Sequence, residues 1–420
     1  MRAEPNLFEL CRMRAGSPLW QGMLKYSIWL LAFGFWLLMS CGEEPAANSQ
    51  EPIAYSSPVD YEVVLAGNFG EPRPWHFHGG IDVKTGNVEG KQIYSIADGY
   101  VSRLTVNKYG FGNAIYVSHP DGLTSVYCHL KRFAEPYENL FERTGWRDTL
   151  DFRFPKNKLP VKAGDMIAIS GNTGHSTGPH LHLELHDTET WVMVDPMEKL
   201  ASVIADTVAP QAHSFMAIPQ QNEGVFNGGM SKQTFGFGQP DTKKQHTTWT
   251  LSRDFTAWGR VGFALWADDY SEATYNHYGV RETRLLVDGR EVFRSDVSGI
   301  PISCQPEVNQ WGDYDHWRRT HIWYMKSYRE PGMRLPILHT NFEQGIVTFD
   351  EERPYHLTYL LRDYQGNQSR YDLTVRGVRD PRIRPVRRTQ LLNTYQLYGQ
   401  CLWPMVTINT QHLTPNTQHD

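Results

Sequence analysis

The stretch from Gly171 to Asp187 reads GNTGHSTGPHLHLELHD. Its alternation of histidine and leucine predicts a β-strand, because successive side chains along a strand point to opposite faces. His180 and His182 then share one face, and Leu181, Leu183 and Leu185 line the other. Two imidazoles over an apolar back can present a metal ligand and a catalytic base side by side. The plainer meaning of the same pattern is a half-exposed polar strand face, and the pair alone does not choose between the two.

Working upstream, His76-Phe77-His78-Gly79-Gly80-Ile81-Asp82 places a histidine and an aspartate around two glycines. His78 and Asp82 converge on one metal if the glycines let the backbone bend sharply between them. With His182 they supply two nitrogens and one oxygen, a set that suits one catalytic zinc ion (Zn2+) per chain with a fourth position left for water. A structural zinc would more often be closed by cysteines, and no close-spaced cysteine pair occurs. His76 lies one strand period from His78 and is less aptly spaced from Asp82. Water activated at such a centre needs a base to take its proton and a donor to steady the developing oxyanion. His180 is one candidate, and His129, in Val126-Tyr127-Cys128-His129-Leu130, is the other.

The rest of the chain sets the frame. Its 420 residues suggest two or three domains. A net charge of -5 without long runs of one sign gives no reason to expect a nucleic-acid partner. Abundant tryptophan, tyrosine, glycine and proline favour an all-β chain. Short strands are expected at Tyr61 to Leu65, Gln92 to Ile96, Tyr100 to Val106, Ala114 to Ser118, Ser125 to Leu130, Met166 to Ser170 and Leu181 to His186, separated by glycine turns. They make a compact antiparallel sheet or barrel over residues 55–206, interrupted at 134–159 by a charged, aromatic insertion. From residue 207 to 379 the alternating runs predict an immunoglobulin-like β-sandwich, and 380–420 reads as a C-terminal tail.

The N-terminal IWLLAFGFWLLM, Ile28 to Met39, is too short to cross a bilayer comfortably but suits a secretory signal. Leu38-Met39-Ser40-Cys41 resembles a bacterial lipobox, which implies that residues 1–41 are a lipoprotein signal peptide, that Cys41 is lipidated and that 42–54 is a linker. The long lead before Lys25 suggests a start at Met23 or Met13. Among the remaining cysteines, Cys304 and Cys401 are candidates for a disulfide, and Cys128 is expected to pack as a small apolar residue facing away from its neighbour His129.

Three segments carry a family resemblance: His78 to Asp82, Tyr127-Cys128-His129-Leu130, and Ser176-Thr177-Gly178-Pro179-His180-Leu181-His182. Together they resemble the motifs of lysostaphin-type (LytM-like) zinc metallopeptidases, which cleave peptide cross-links of bacterial peptidoglycan. Tyr94 to Gly99, Gly110 to Asn113 and Val161 to Asp165 add to the likeness, which spans about Asn68 to Pro196. The resemblance implies that His78, Asp82 and His182 bind zinc and that His180 and His129 act as general base and transition-state donor, without deciding which of these two takes the proton. Cys128 stands where such proteins commonly have a small residue such as alanine, and the 134–159 insertion is longer than their usual link.

These readings imply a zinc endopeptidase that acts on peptidoglycan stem peptides and is held by lipidated Cys41 to the outer membrane, facing the periplasm. Glu43 and Glu44 resemble surface-export signals of some Bacteroidetes lipoproteins, which would place it outside instead. The rival is a catalytically silent peptidoglycan-binding module that activates another cell-wall hydrolase. The 207–379 region is open to several roles: a glycan-binding module, a surface for an envelope protein partner, a spacer or an autoinhibitory cap.

Overall fold

The computed structural model describes residues 53–144, 149–238 and 246–383. The expected signal peptide, Cys41, Cys401 and most of the C-terminal tail lie outside the described residues. The chain is all-β, built on two large sheets. In the first, the strands run in the order Leu65–Gly67, Gly80–Lys84, His180–Asp187, Leu123–Phe133, Asn113–Ser118, Gly99–Asn107 and Pro160–Val161, every pair antiparallel.

The histidine strand His180–Asp187 is thus central. Leu181, Leu183 and Leu185 are wholly buried, together with Ile81, Val83 and Tyr127, in the core of this sheet. Full burial of each leucine contributes about 1.5–3 kcal/mol, and a slip of one residue would turn all three to solvent, so the apolar face sets the register of the polar one. Gly80–Lys84 alternates Ile81 and Val83, which enter the core, with Asp82 and Lys84, and it opens on Gly79 and Gly80. Neither adopts a left-handed φ, so they do not supply the sharp bend expected of them. They supply room: a Cβ on Gly80 would stand 2.1 Å from the Leu183 carbonyl oxygen, and one on Gly79 2.5 Å from Glu184 Oε1.

The insertion holds a short helix, Glu138–Thr144, and a strand, Thr149–Arg153, which pairs with Gly99–Asn107 and extends the sheet. Thr149, Leu150 and Asp151 face the Tyr109-Gly110-Phe111-Gly112 loop across a shallow cavity of about 270 Å3.

The second sheet is organised by two long strands, Gln211–Phe226 and Phe255–Tyr270, which pair antiparallel. Phe255–Tyr270 also runs parallel to Gln368–Gly377, which pairs with Pro354–Arg362. Phe215, Phe226, Phe255, Phe263 and Phe349 fill its interior. That core does not stop at the sheet boundary, because Phe69, Phe77 and Met193 of the N-terminal half belong to it. Gly299–Ile300 also pairs with Met193–Val194, which in turn pairs with the histidine strand. Among the described residues Cys128 and Cys304 are buried free thiols.

Candidate metal centre and active site

Antiparallel pairing places His182 directly opposite Asp82 on one side and Cys128 on the other. Directly paired residues project to the same face, so Asp82 and His182 meet above the sheet. His78, in the loop before the Gly80–Lys84 strand, comes down upon them. Three atoms converge: His78 Nε2 lies 3.0 Å from Asp82 Oδ1 and 3.0 Å from His182 Nδ1, and His182 Nδ1 lies 2.8 Å from Asp82 Oδ1. All three residues are buried.

The outer atoms of these side chains are committed elsewhere. His78 Nδ1 donates to the Asn68 carbonyl at 2.6 Å, and His182 Nε2 donates to Glu184 Oε1 at 2.9 Å. Asp82 Oδ2 accepts from Arg73 Nη2 at 3.1 Å, which leaves Oδ1 for the centre. Glu184 Oε2 is held by His186 Nε2 at 2.5 Å, and His186 stacks on Trp191. With its Nδ1–H engaged, His78 can present only a lone pair at Nε2. The electrostatics call for positive charge at this point. Burial opposes ionisation of Glu184, yet hydrogen bonds from His182 and His186 bring it down to about 2. Burial likewise opposes a charged His182, but Asp82 and Glu184 together raise it to about 9. Burial pushes His78 down to about 4. Two buried carboxylates flanking two imidazoles attract either a proton or a cation, and the two-nitrogen, one-oxygen donor set fits zinc.

His180 and His129 stand over this centre. His180 Nδ1 donates to the Gly178 carbonyl at 2.8 Å, which turns Nε2 inward to 3.4 Å from Asp82 Oδ1. His129 Nδ1 donates to the Thr173 carbonyl at 2.8 Å. The His129 ring centroid lies 4.9 Å from that of His180 and 5.7 Å from that of His182. Burial, reinforced by the charge on His182, lowers His129 to about 4.

The expectation that Cys128 and His129 face opposite ways does not hold. Cys128 pairs with His182 and shares its face, packed with Ala114, Tyr116 and Val126. Strict alternation would then bury His129 in the core beneath. Instead His129 has a φ of 60° at a register shift between Asn113 and Ile115, and the irregular backbone returns its ring to the upper face. His76 is exposed, with Nδ1 3.1 Å from the Pro74 carbonyl oxygen, and is not part of the cluster.

All five histidines and aspartates singled out from the sequence therefore meet in one place. The supporting residues Asn68, Arg73, Thr173, Glu184 and His186 were missed. Glu184 and His186 had a legible signal, since they continue the same strand face at the same two-residue period. Asn68 and Thr173 act through backbone carbonyls, which no side-chain pattern reveals.

Residues 76–138 match the family described as Peptidase family M23, a span that contains His78, Asp82 and His129. Over 147 residues, 34% of this chain, the sequence is 30% identical to DD-carboxypeptidase/endopeptidase Mpg of Neisseria meningitidis serogroup B, of which the match covers 27%. It is 30% identical over 132 residues to the peptidoglycan DD-endopeptidase ShyC of Vibrio cholerae, covering 30% of this chain and 25% of that protein. It is 35% identical over 96 residues to the glycyl-glycine endopeptidase ALE-1 of Staphylococcus capitis, covering 23% and 21%. The chain thus spans only about a quarter of the length of these relatives.

Proposed function

We propose, from the premise that this chain carries a lysostaphin-type (LytM-like) M23 peptidase domain, that it is a zinc-dependent endopeptidase hydrolysing peptide cross-links of bacterial peptidoglycan. The observation that carries this reading is the convergence of His78 Nε2, His182 Nδ1 and Asp82 Oδ1 within 3.0 Å of one another while their outer atoms are engaged. Zinc held there would act as a Lewis acid toward an amide carbonyl and acidify a water molecule.

The chain's own residues account for the proton traffic. His180 and His129 are each fixed at Nδ1 by a backbone carbonyl, so each can gain a proton only at Nε2. His180 is the ring whose Nε2 points to the centre, 3.4 Å from Asp82 Oδ1, and it takes the proton from the attacking water. The same Nε2–H then returns the proton to the departing amine. His129 completes the polar wall opposite, where its neighbours and its burial keep it neutral. Arg73 restrains Asp82 so that a single oxygen points inward.

The substrate class rests on the relatives, one named a peptidoglycan DD-endopeptidase and another a glycyl-glycine endopeptidase, so the bond cut is a separate question from the chemistry. We further propose that the chain is a lipoprotein of the outer membrane, anchored at Cys41 and facing the periplasm, from the lipobox-like Leu38-Met39-Ser40-Cys41. Mass spectrometry of muropeptides after digestion tests the function. New peptide ends and loss of cross-linked dimers are expected. Intact dimers after treatment with zinc-loaded protein, with stimulation of a separate amidase, would overturn the enzyme reading.

A further inference from the structure

A second cluster of ligand-type side chains lies at the junction of the two sheets, away from the histidines. The carboxylates of Asp206, Asp269 and Asp363 offer oxygens that all lie within 4.8 Å of one another. Asp206 belongs to the connection between the sheets, Asp269 to the end of the Phe255–Tyr270 strand, and Asp363 to the turn between Pro354–Arg362 and Gln368–Gly377. The charged neighbours of Asp269 are Asp363, Asp206 and Asp268, all acidic. Arg281 lines the adjoining cavity but is engaged by Asp195, Glu198 and Asp296.

Two buried oxygens at this place have no partner. Asp269 is 7% exposed and its Oδ1 accepts no hydrogen bond; Asn367 is 1% exposed and its Oδ1 is likewise unpaired. Asn367 belongs to the cluster, because its Nδ2 donates to Asp363 Oδ2 at 2.5 Å and to the Asp206 carbonyl at 3.2 Å. Buried acceptors without donors cost free energy unless something electropositive answers them. A cavity of about 50 Å3, lined by Asp206, Asp269, Tyr278 and Tyr364, adjoins them.

We propose that Asp206, Asp269 and Asp363 form a calcium site that clamps the connection between the sheets to the second sheet. The donors are all oxygens, without the nitrogen or sulfur that zinc favours, a set that suits a hard cation. Calcium binds oxygens at roughly 2.4 Å, so ligands on opposite sides of it stand about 4.8 Å apart. Three oxygens that all lie within 4.8 Å of one another meet that upper limit. Burial lifts all three carboxyls above their ordinary range, and acidic neighbours add to it at Asp206, raised to about 7, and at Asp269.

The test is calcium titration of the chelator-treated full chain, read by calorimetry and by the thermal unfolding midpoint. One calcium per chain and a midpoint that rises with calcium are expected for the unaltered protein and for His182→Ala, in which the histidine centre is broken. Asp269→Asn should lose both responses, and Asp206→Asn serves the same purpose if Asp269→Asn does not fold. Magnesium, which demands tighter octahedral geometry, should act more weakly. An unaltered protein with no calcium response at millimolar concentration would overturn the proposal, as would variants that respond like it, leaving carboxyls that share protons only.

Discussion

Asn68 and Gly279 exchange two hydrogen bonds across the boundary between the sheets, Asn68 Nδ2 to the Gly279 carbonyl at 2.7 Å and Gly279 N–H to Asn68 Oδ1 at 2.9 Å. The carbonyl of the same Asn68 accepts from His78 Nδ1. The second half of the chain therefore holds the residue that fixes the orientation of His78, a proposed metal ligand. Gln305 Oε1 accepting from Phe77 N–H and Asn309 Oδ1 accepting from Trp75 N–H extend the same support. Asn68→Ala removes the clamp and keeps the backbone carbonyl. It should lower zinc affinity by about tenfold, the scale of lost outer-shell support, while the fold persists. Competition with a chromophoric chelator measures it, and unchanged affinity would show that the second half does not tune the centre.

Glu184 is a buried carboxylate that orients His182 and is itself held by His186. Glu184→Gln keeps the size but removes the negative charge behind His182 that makes its imidazole a stronger donor to a cation. Zinc affinity should fall by about 10- to 100-fold. Titration of zinc into the chelator-treated variant reads the effect directly.

The Gly80 position tests the packing of the central strands. A Cβ there would press on the Leu183 carbonyl, whereas one on Gly178 would meet nothing within 4 Å. Gly80→Ala should destabilise by about 1–3 kcal/mol or more, and Gly178→Ala should leave stability nearly unchanged. Denaturant midpoints of the two variants provide the comparison.

The three-aspartate junction predicts a pH dependence. Burial and acidic neighbours raise Asp269 well above the ordinary carboxyl range, so the native state keeps a proton that the unfolded chain releases above about pH 4. Unfolding then sheds protons, and stability in chelator falls as pH rises toward neutrality, by about 1.4 kcal/mol per pH unit for each proton retained. Asp269→Asn should flatten that slope. Urea unfolding of both proteins across the window checks the sign, and a stability that rises with pH by the same amount in both would contradict it.

Much of this centre was legible in the sequence because its side chains obey strand periodicity. His180 and His182 share a face, their leucines form the core beneath, and His78 and Asp82 come from a compact motif. What escaped follows from features without periodicity. The Gly80–Lys84 strand alternates over only four residues after two glycines that serve close approach, and the side on which Cys128 lies was misjudged because a backbone irregularity at His129 breaks alternation. The embedding of Phe77 and Phe69 in the core of the second sheet depends on contacts distant along the chain. No local pattern encodes such contacts.

The two histidines of one strand have different proposed roles: His182 holds the metal and His180 acts beside it. Zinc bound per chain, measured by elemental analysis on the unaltered protein, His182→Ala and His180→Ala, tests this most directly. About one zinc is expected in the unaltered protein and in His180→Ala and essentially none in His182→Ala. Equal loss of zinc in both variants, or retention in both, would contradict it.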